Sequence, residues 1–169
     1  MSIPLRGLRK SAIGGRKRRD VHESRWTGAS ALYPIACRFL RDFAQERNGL
    51  LGRAKIVCLP AGRRVYPHID RGAYYVVRDR YHLVLRSARG SWLKAGEEEL
   101  RMHEGELWWF ENRLPHEAVN DSDEYRIHLI MDFLSPRSVA SSFVRPVRWS
   151  GHYADRLIQR YRRRRRGSP

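Results

Sequence analysis

The sequence predicts an all-β domain, and two observations carry this prediction. From Lys55 to Phe133 apolar and polar residues alternate with a period of two, which is the pattern of half-buried strands. Turn-forming pairs such as Ala95-Gly96 and Glu104-Gly105 divide the region into short segments. Because no helices alternate with these strands, a parallel α/β sheet is excluded, and an antiparallel sandwich or barrel of about seven or eight strands is expected.

One helix precedes the predicted strands. Apolar residues of the segment 29–47 recur three and four positions apart, as on the buried face of a helix, and Asn48-Gly49 ends this pattern. The strands are expected at Lys55–Leu59, Arg64–Pro67, Tyr74–Val77, Arg80–Arg86, Ser91–Leu93, Glu99–Met102, Leu107–Phe110 and Tyr125–Phe133. A further helix is predicted near the end of the chain, at Ala154–Tyr161.

The 169-residue chain carries a net charge of +16, and this charge lies at its two ends. Residues 1–28 contain 8 basic and 2 acidic side chains, residues 137–169 contain 10 and 1, and residues 29–136 contain 16 and 15. We therefore predict a basic flexible N-terminal segment (1–28), one folded domain (29–136) and a basic C-terminal extension (137–169). The run Arg162–Arg166 indicates either weak, salt-dependent contact with nucleic acid or an acidic protein, or a solvated tail.

Cysteine content and hydropathy indicate the cellular compartment in which the protein is expected. Cys37 and Cys58 form no CxxC motif and are too few for a disulfide framework, so reduced thiols are expected. No segment reaches the roughly 20 apolar residues of a membrane span. The arginines near the N-terminus are not followed by the apolar segment of a secretory signal. We expect a cytoplasmic protein that does not contact membranes.

Three pairs of polar residues interrupt the apolar strands. They are His68 and Asp70, Arg80 and His82, and Arg126 and His128. Residues two positions apart share one face of a strand, so each pair points away from the apolar side chains of its own strand. If the apolar set packs against the helix, the polar pairs line the inside of the sheet. A cavity lined by these side chains would suit a metal ion and a dianion.

A histidine and an aspartate two positions apart, with one distant histidine, match the 2-His-1-carboxylate triad of non-haem Fe(II) oxygenases. His68, Asp70 and His116 supply this set and would leave room on Fe(II) for a co-substrate and O2. Arg126 follows His116 after a single turn, so a hairpin would return its guanidinium to the metal pocket. There it could pair bidentately with a carboxylate.

The stretch from Leu59 to Phe133 resembles the aspartyl/asparaginyl β-hydroxylase family of Fe(II)/2-oxoglutarate-dependent dioxygenases. Pro67-His68 and Pro115-His116 sit where this family has its histidine ligands. Arg80-Tyr81-His82 is similar to the segment that contacts 2-oxoglutarate, and Arg126 stands at the position of the arginine for its far carboxylate. The resemblance implies a double-stranded β-helix, which is a cupin-like jelly roll.

The resemblance also implies the roles of the site residues. Fe(II) would be bound by His68, Asp70 and His116, and 2-oxoglutarate would be held by Arg80, His82 and Arg126. The implied reaction hydroxylates an unactivated C–H, consumes O2 and converts 2-oxoglutarate to succinate and CO2. We expect the substrate to be an amino-acid residue in a peptide or protein.

Three alternatives stay open at this point. The substrate could instead be a free amino acid. The chain could be a cupin-like module that binds nucleic acid or an acidic partner and performs no oxidation. A cupin isomerase or a dioxygenase that does not use 2-oxoglutarate would need the triad but would leave Arg126 without a role. His128 shares the face of Arg126, and we interpret it as a structural histidine.

Overall fold

The computed structural model of the protein describes residues 1–8, 13–134 and 144–146. The strands are β1 (Ser2–Gly7), β2 (Arg25–Trp26), β3 (Leu50–Leu59), β4 (Arg63–His68), β5 (Asp79–Arg86), β6 (Ser91–Ala95), β7 (Glu98–Leu100), β8 (Leu107–Phe110), β9 (His116–Asn120), β10 (Arg126–Leu134) and β11 (Val144–Pro146). The helices are α1 (Pro34–Glu46) and α2 (Ala73–Val76), with 3-10 turns at Arg18–Asp20 and Gly28–Leu32. The predicted helix Ala154–Tyr161 and the run Arg162–Arg166 lie outside the described residues.

The strands form two antiparallel sheets. The larger has the order β11-β8-β5-β10-β3-β1-β2, and the smaller has the order β4-β9-β6-β7. From β3 to β10 the chain crosses repeatedly between the sheets, because β3, β5, β8 and β10 belong to the larger and β4, β6, β7 and β9 to the smaller. This winding confirms the predicted all-β, cupin-like jelly roll.

Each face of the larger sheet packs against a different layer. The helix α1 packs on its outer face, in a core that includes Phe39, Leu40, Phe43, Ala54, Tyr81, Leu83, Leu129, Met131 and Phe133. Its inner face meets the smaller sheet through a second core of Leu59, Val84, Leu93, Ala95, Met102, Phe110 and Ala118. Strand side chains alternate between the two faces of a sheet. The polar pairs Arg80 and His82 on β5 and Arg126 and His128 on β10 therefore lie on the inner face. None of the described helices is long and apolar enough to cross a membrane.

The prediction of a flexible segment over residues 1–28 is wrong where that segment forms strands. β1 pairs with β3, and β2 pairs with β1, so the larger sheet extends beyond the expected domain boundary. Leu5 is fully buried in the core beside α1. The basic composition concealed this strand, since a paired edge strand needs only a few inward apolar side chains.

Several other predicted elements differ from the structure. Tyr74–Val77 was expected as a strand, but α2 forms there because Gly72, at φ 112°, turns the chain and Asp20 accepts the Ala73 N–H at 3.0 Å. The helix over residues 29–47 is shorter, because Pro34 stands at its first turn after a 3-10 turn. The expected hairpin between His116 and Arg126 is a crossover, since β9 belongs to the smaller sheet and β10 to the larger.

Candidate metal centre

The structure brings together the three predicted metal ligands. β4 ends at His68, which lies opposite His116 at the start of β9, and Asp70 follows β4 by two residues. One ligand atom from each of His68, Asp70 and His116 lies within 4.8 Å of the others. The two imidazole rings are 4.2 Å apart between centroids. His116 is buried and His68 is exposed, so this group lies at the mouth of the space between the sheets.

Backbone carbonyls fix both imidazoles in the form that binds a metal. The Nδ1 of His68 lies 2.9 Å from the carbonyl oxygen of Tyr66, and the Nδ1 of His116 lies 2.9 Å from that of Leu114. A carbonyl oxygen only accepts hydrogen bonds, so Nδ1 carries the proton in each ring. The Nε2 atoms therefore keep the lone pair with which a neutral histidine binds a metal.

Two side chains hold the Asp70 carboxylate through the same oxygen. Nη1 of Arg80 and Nδ2 of Asn112, the latter at 3.0 Å, both donate to Oδ2 of Asp70. The Asp70 N–H in turn donates to the carbonyl oxygen of Asn112 at 3.1 Å. Because both donors occupy Oδ2, Oδ1 is the oxygen left for a metal ion, and the histidine pair and this oxygen suit Fe(II) in donor type.

Arg80 is itself anchored by a buried carboxylate. Its Nε donates to Oδ1 of Asp132 at 2.8 Å and its Nη2 to Oδ2 at 3.2 Å. The hydroxyl of Tyr74 also donates to Oδ2 of Asp132 at 3.2 Å and accepts the Arg53 N–H at 2.6 Å. A Cβ on Gly52 would stand 2.5 Å from this hydroxyl, so glycine permits the close approach of Tyr74 to β3. The network fixes Arg80 in a bidentate ion pair, which orients its third donor toward Asp70.

Deeper between the sheets lies a second polar group, formed by His82, Arg126 and His128. The Nδ1 atoms of His82 and His128 are 3.3 Å apart, and the Nε2 atom of each ring is buried without a partner. Nη2 of Arg126 is likewise buried without a partner in the part of the chain that the structure describes. The ring of Phe110 contacts His82 edge to face at a centroid distance of 5.0 Å and contacts His116 in a tilted arrangement at 5.1 Å. This group therefore adjoins the triad across one aromatic ring.

Burial controls the ionisation of this inner group. It lowers the pKa of Arg126 to about 10 and lowers the pKa of both His82 and His128 well below their usual value, with the charge of Arg126 adding to the effect on each ring. Two neutral imidazoles that share a hydrogen bond must place one proton on an outward Nε2. The inner group thus presents a guanidinium and one N–H donor, and no carboxylate among the described residues pairs with the guanidinium.

The buried histidines predict a loss of stability in mild acid. Because their folded pKa values are depressed, the unfolded chain binds more protons below the usual histidine pKa near 6.5, and the free energy of unfolding falls as pH falls. For the metal-free protein we expect His128→Gln to reduce this slope by about 1.4 kcal/mol per pH unit, which is one proton. Urea unfolding between pH 7.5 and 5 measures it. The exposed His103→Gln serves as control, and equal slopes for the two variants would contradict the prediction.

The hydrogen bond from Asn112 predicts a change in metal affinity. In Asn112→Ala the backbone contact with Asp70 remains but the side-chain donor to its carboxylate is lost. We expect the dissociation constant for Fe(II) or Mn(II) to rise by about tenfold or more, the effect of removing a partner of a metal ligand. Calorimetric titration measures it against Arg113→Ala, an exposed neighbour that pairs with Glu111. An affinity within twofold of the wild type would show that Asn112 does not position Asp70.

The structure places the remaining predicted residues, Arg80, His82 and Arg126, on the inner face. The contacts of Arg80 differ from those expected. Arg80 was expected to hold 2-oxoglutarate, whereas its guanidinium binds Asp70 and Asp132. Sequence reasoning missed Asn112 and Asp132. Asp132 extends the inner-face alternation of β10 by two further steps from His128, so the same periodicity could have found it. Asn112 lies in a loop, where no periodicity applies.

Comparison with solved structures found chains of low identity. One is a cupin 2 conserved barrel domain protein from Salinispora arenicola CNS-205, with 13% identity over 64% of this chain and 71% of that chain and a TM-score of 0.38. The protein YhaK from Escherichia coli shows 10% identity over 60% and 44%, with a TM-score of 0.47. Salicylate 1,2-dioxygenase from Pseudaminobacter salicylatoxidans shows 15% identity over 56% and 33%, with a TM-score of 0.39. This chain spans less than half the length of the last two proteins.

Comparison with protein families gives the assignment. A search of curated proteins found no match. The family profile described as aspartyl/asparaginyl beta-hydroxylase matches residues 19–136, which include all of the site residues named above and begin within the segment expected to precede the domain. This match covers more than half of the chain and confirms the family predicted from Leu59 to Phe133. The chain belongs to the aspartyl/asparaginyl β-hydroxylase family.

Proposed function

We propose that the protein is an Fe(II)- and 2-oxoglutarate-dependent dioxygenase that hydroxylates an amino-acid residue in a peptide or protein. The observation that carries this proposal is the guanidinium of Arg126, which is 6% exposed and has Nη2 buried without a partner beside the triad. A buried cation without a counter-ion is costly to the fold. Its retention is explained if a ligand carboxylate completes the pair.

The triad would hold the metal ion. Nε2 of His68, Nε2 of His116 and Oδ1 of Asp70 are the donors, and their imidazole and carboxylate chemistry fits Fe(II). Bound Fe(II) supplies the activation of O2 and the oxidative decarboxylation of 2-oxoglutarate to succinate and CO2. The protein supplies position: Arg80 and Asn112 keep Oδ2 of Asp70 engaged, so the carboxylate presents a single oxygen.

The inner group would hold the far carboxylate of 2-oxoglutarate. Arg126 would donate from its guanidinium, and whichever ring of the His82–His128 pair carries its proton on Nε2 would be a neutral second donor. A charge-assisted bond in such a buried setting is stronger than one in water. Phe110 lies between this group and the triad, because its ring contacts both His82 and His116. Arg80 has a different role in this proposal, that of positioning Asp70.

An open approach on one side of the triad favours a substrate residue within a chain. His68 is exposed, and every residue of β4 before it is exposed as well. β4 is an edge strand of the smaller sheet, so the approach along it is not covered by another described strand. A peptide segment could reach the metal from this side without entering the space between the sheets.

A comparison of two acids, one with and one without the far carboxylate, tests whether Arg126 binds that group. The protein is loaded with Mn(II), which binds the same ligands without reacting, and is titrated with 2-oxoglutarate and with 2-oxopentanoate, which lacks that carboxylate. We expect the wild type to prefer 2-oxoglutarate by at least about tenfold, the value of one charged pair of modest strength. Arg126→Met should lose this preference but still bind Mn(II).

Two results would overturn the proposal. Equal affinity of the wild type for both acids would favour a dioxygenase or isomerase that does not use 2-oxoglutarate. No binding of metal by the wild type would favour a cupin-like binding module. Arg16→Met, which alters an exposed arginine paired with Glu23 near the N-terminus, is the matched control and should keep the preference.

A further inference from the structure

A cavity opens on the inner face of the larger sheet, beyond the triad. Its volume is about 440 Å³, and it lies between β1, β3 and the 3-10 turn at Arg18–Asp20. Its charged lining residues are Arg6, Arg18, Arg19, Arg53, Lys55, Arg80 and Asp132. We call it the cationic cavity. It is separated from the triad by a single side chain, because the Arg80 that lines it also donates to Asp70.

The positive charge of the cationic cavity is not balanced by the residues around it. Its one carboxylate, that of Asp132, is engaged by Arg80 and by the hydroxyl of Tyr74. The other five cations form no salt bridge among the described residues. Partial desolvation, followed by repulsion from Arg80, lowers the pKa of Lys55, and burial lowers the pKa of Arg6.

The fold holds several of these cations in place. The guanidinium of Arg53 stacks over the ring of Tyr74 at 3.8 Å and donates through Nη2 to the carbonyl oxygens of Arg18 and Val21, each at 2.7 Å. Arg6 donates to the carbonyl oxygen of Leu51 at 3.2 Å. Carbonyl contacts orient a guanidinium without neutralising it, so its charge stays available to a ligand.

We propose that the cationic cavity binds a doubly or multiply charged anionic group of the peptide substrate, either a phosphoryl group or a pair of neighbouring carboxylates. This inference rests on the proposed function for the identity of the ligand as a substrate. A single carboxylate would leave most of the five unpaired cations uncompensated, which is why the group carries at least two negative charges. Its position beside Arg80 would set which residue of the peptide reaches the metal.

The test compares peptides that differ in one pair of charges. Fluorescent decapeptides containing two adjacent glutamates, one phosphoserine, or two glutamines are titrated at 150 mM salt, where attraction from distant surface charge is screened within roughly 8 Å. The cavity variant is Lys55→Gln with Arg18→Gln, two side chains that donate no described hydrogen bond. The matched control is Arg38→Gln with Arg101→Gln, two exposed residues on α1 and after β7, which removes the same charge outside the cavity and away from β4.

We expect the wild type to bind at least one charged peptide tenfold more tightly than the glutamine peptide. The cavity variant should lose that advantage, and the Arg38→Gln/Arg101→Gln control should keep it within threefold. Preference for the phosphoserine peptide identifies a phosphoryl group, and equal binding of both charged peptides identifies charge alone. Equal binding of all three peptides, or equal losses in the two variants, would overturn the inference. If an RNA oligomer loses affinity in the cavity variant and none of the peptides does, the assignment of the cavity to a peptide ligand is overturned.

These outcomes are distinguishable from failure of the proposed function. Binding of 2-oxoglutarate to the Mn(II)-loaded cavity variant should match that of the wild type, since neither Lys55 nor Arg18 belongs to the triad or the inner group. If 2-oxoglutarate binds normally and the peptides do not discriminate, the inference fails alone. If 2-oxoglutarate does not bind, the peptide titrations still report on the cavity.

Discussion

His116→Ala is expected to abolish Fe(II) binding and, with it, hydroxylation. His116 is the buried member of the triad, and its Nδ1 contact with Leu114 fixes Nε2 as the donor. Alanine offers no ligand atom, so the loss of affinity should exceed the about 10- to 100-fold loss typical of residues that only support a ligand. Calorimetric titration with Fe(II) under argon measures the loss.

The same position needs a control for folding, because alanine leaves a void among buried residues. His116→Gln fills most of the volume and should also lose Fe(II), while circular dichroism should show a folded chain in both variants. His103→Ala, an exposed histidine elsewhere in the domain, should bind Fe(II) as the wild type does. Wild-type affinity for Fe(II) in both His116 variants would show that the triad does not bind the metal ion.

Arg126→Met is expected to stabilise the ligand-free protein while it weakens the binding of 2-oxoglutarate by at least about tenfold. The wild-type guanidinium is buried with Nη2 unpartnered, which costs the fold about 1–3 kcal/mol or more. Methionine fills a similar volume with no charge to desolvate, so the free energy of unfolding should rise by about that amount. Urea unfolding measures the gain, and titration with 2-oxoglutarate measures the loss. A variant less stable than the wild type would show that the charge is compensated.

The stability gain should depend on pH in a stated direction. Burial lowers the pKa of Arg126 to about 10 in the folded protein, well below the usual value of an arginine. Above pH 10 the folded wild type releases this proton while the unfolded chain still holds it, so the wild type recovers stability as pH rises. The difference between Arg126→Met and the wild type should therefore be constant from pH 7 to 9 and shrink between pH 10 and 11. A constant difference throughout would mean that the guanidinium stays charged.

Much of the fold follows from residue periodicity. Leu107–Phe110 was predicted with the bounds that the structure shows, and β5 and β10 differ from their predicted bounds by one residue at the ends. These strands bury one face on α1, which makes their alternation regular. β1, β9 and α2 were missed because none of them is specified locally. β1 is held by pairing with β3, β9 by pairing with β4 and β6, and α2 follows from Gly72 and the Asp20 contact.

The triad could be predicted, but the contacts that orient it could not. A histidine and an aspartate two positions apart are common by chance, but together with Pro115-His116 and Arg126 they indicated the three ligands that the structure brings together. The role of Arg80 depended on Asp132, which is 52 residues away and meets it only across neighbouring strands.

A visible absorption spectrum recorded without oxygen tests most directly whether this protein binds Fe(II) and 2-oxoglutarate together. The protein is given Fe(II) and then 2-oxoglutarate, and Arg126→Met and Arg16→Met are treated in the same way. We predict a metal-to-ligand charge-transfer band on addition of 2-oxoglutarate to the wild type and to Arg16→Met, and at least about tenfold more 2-oxoglutarate needed to produce it in Arg126→Met. Fe(II) that binds without any band on saturation with 2-oxoglutarate would contradict the binding of 2-oxoglutarate at the metal.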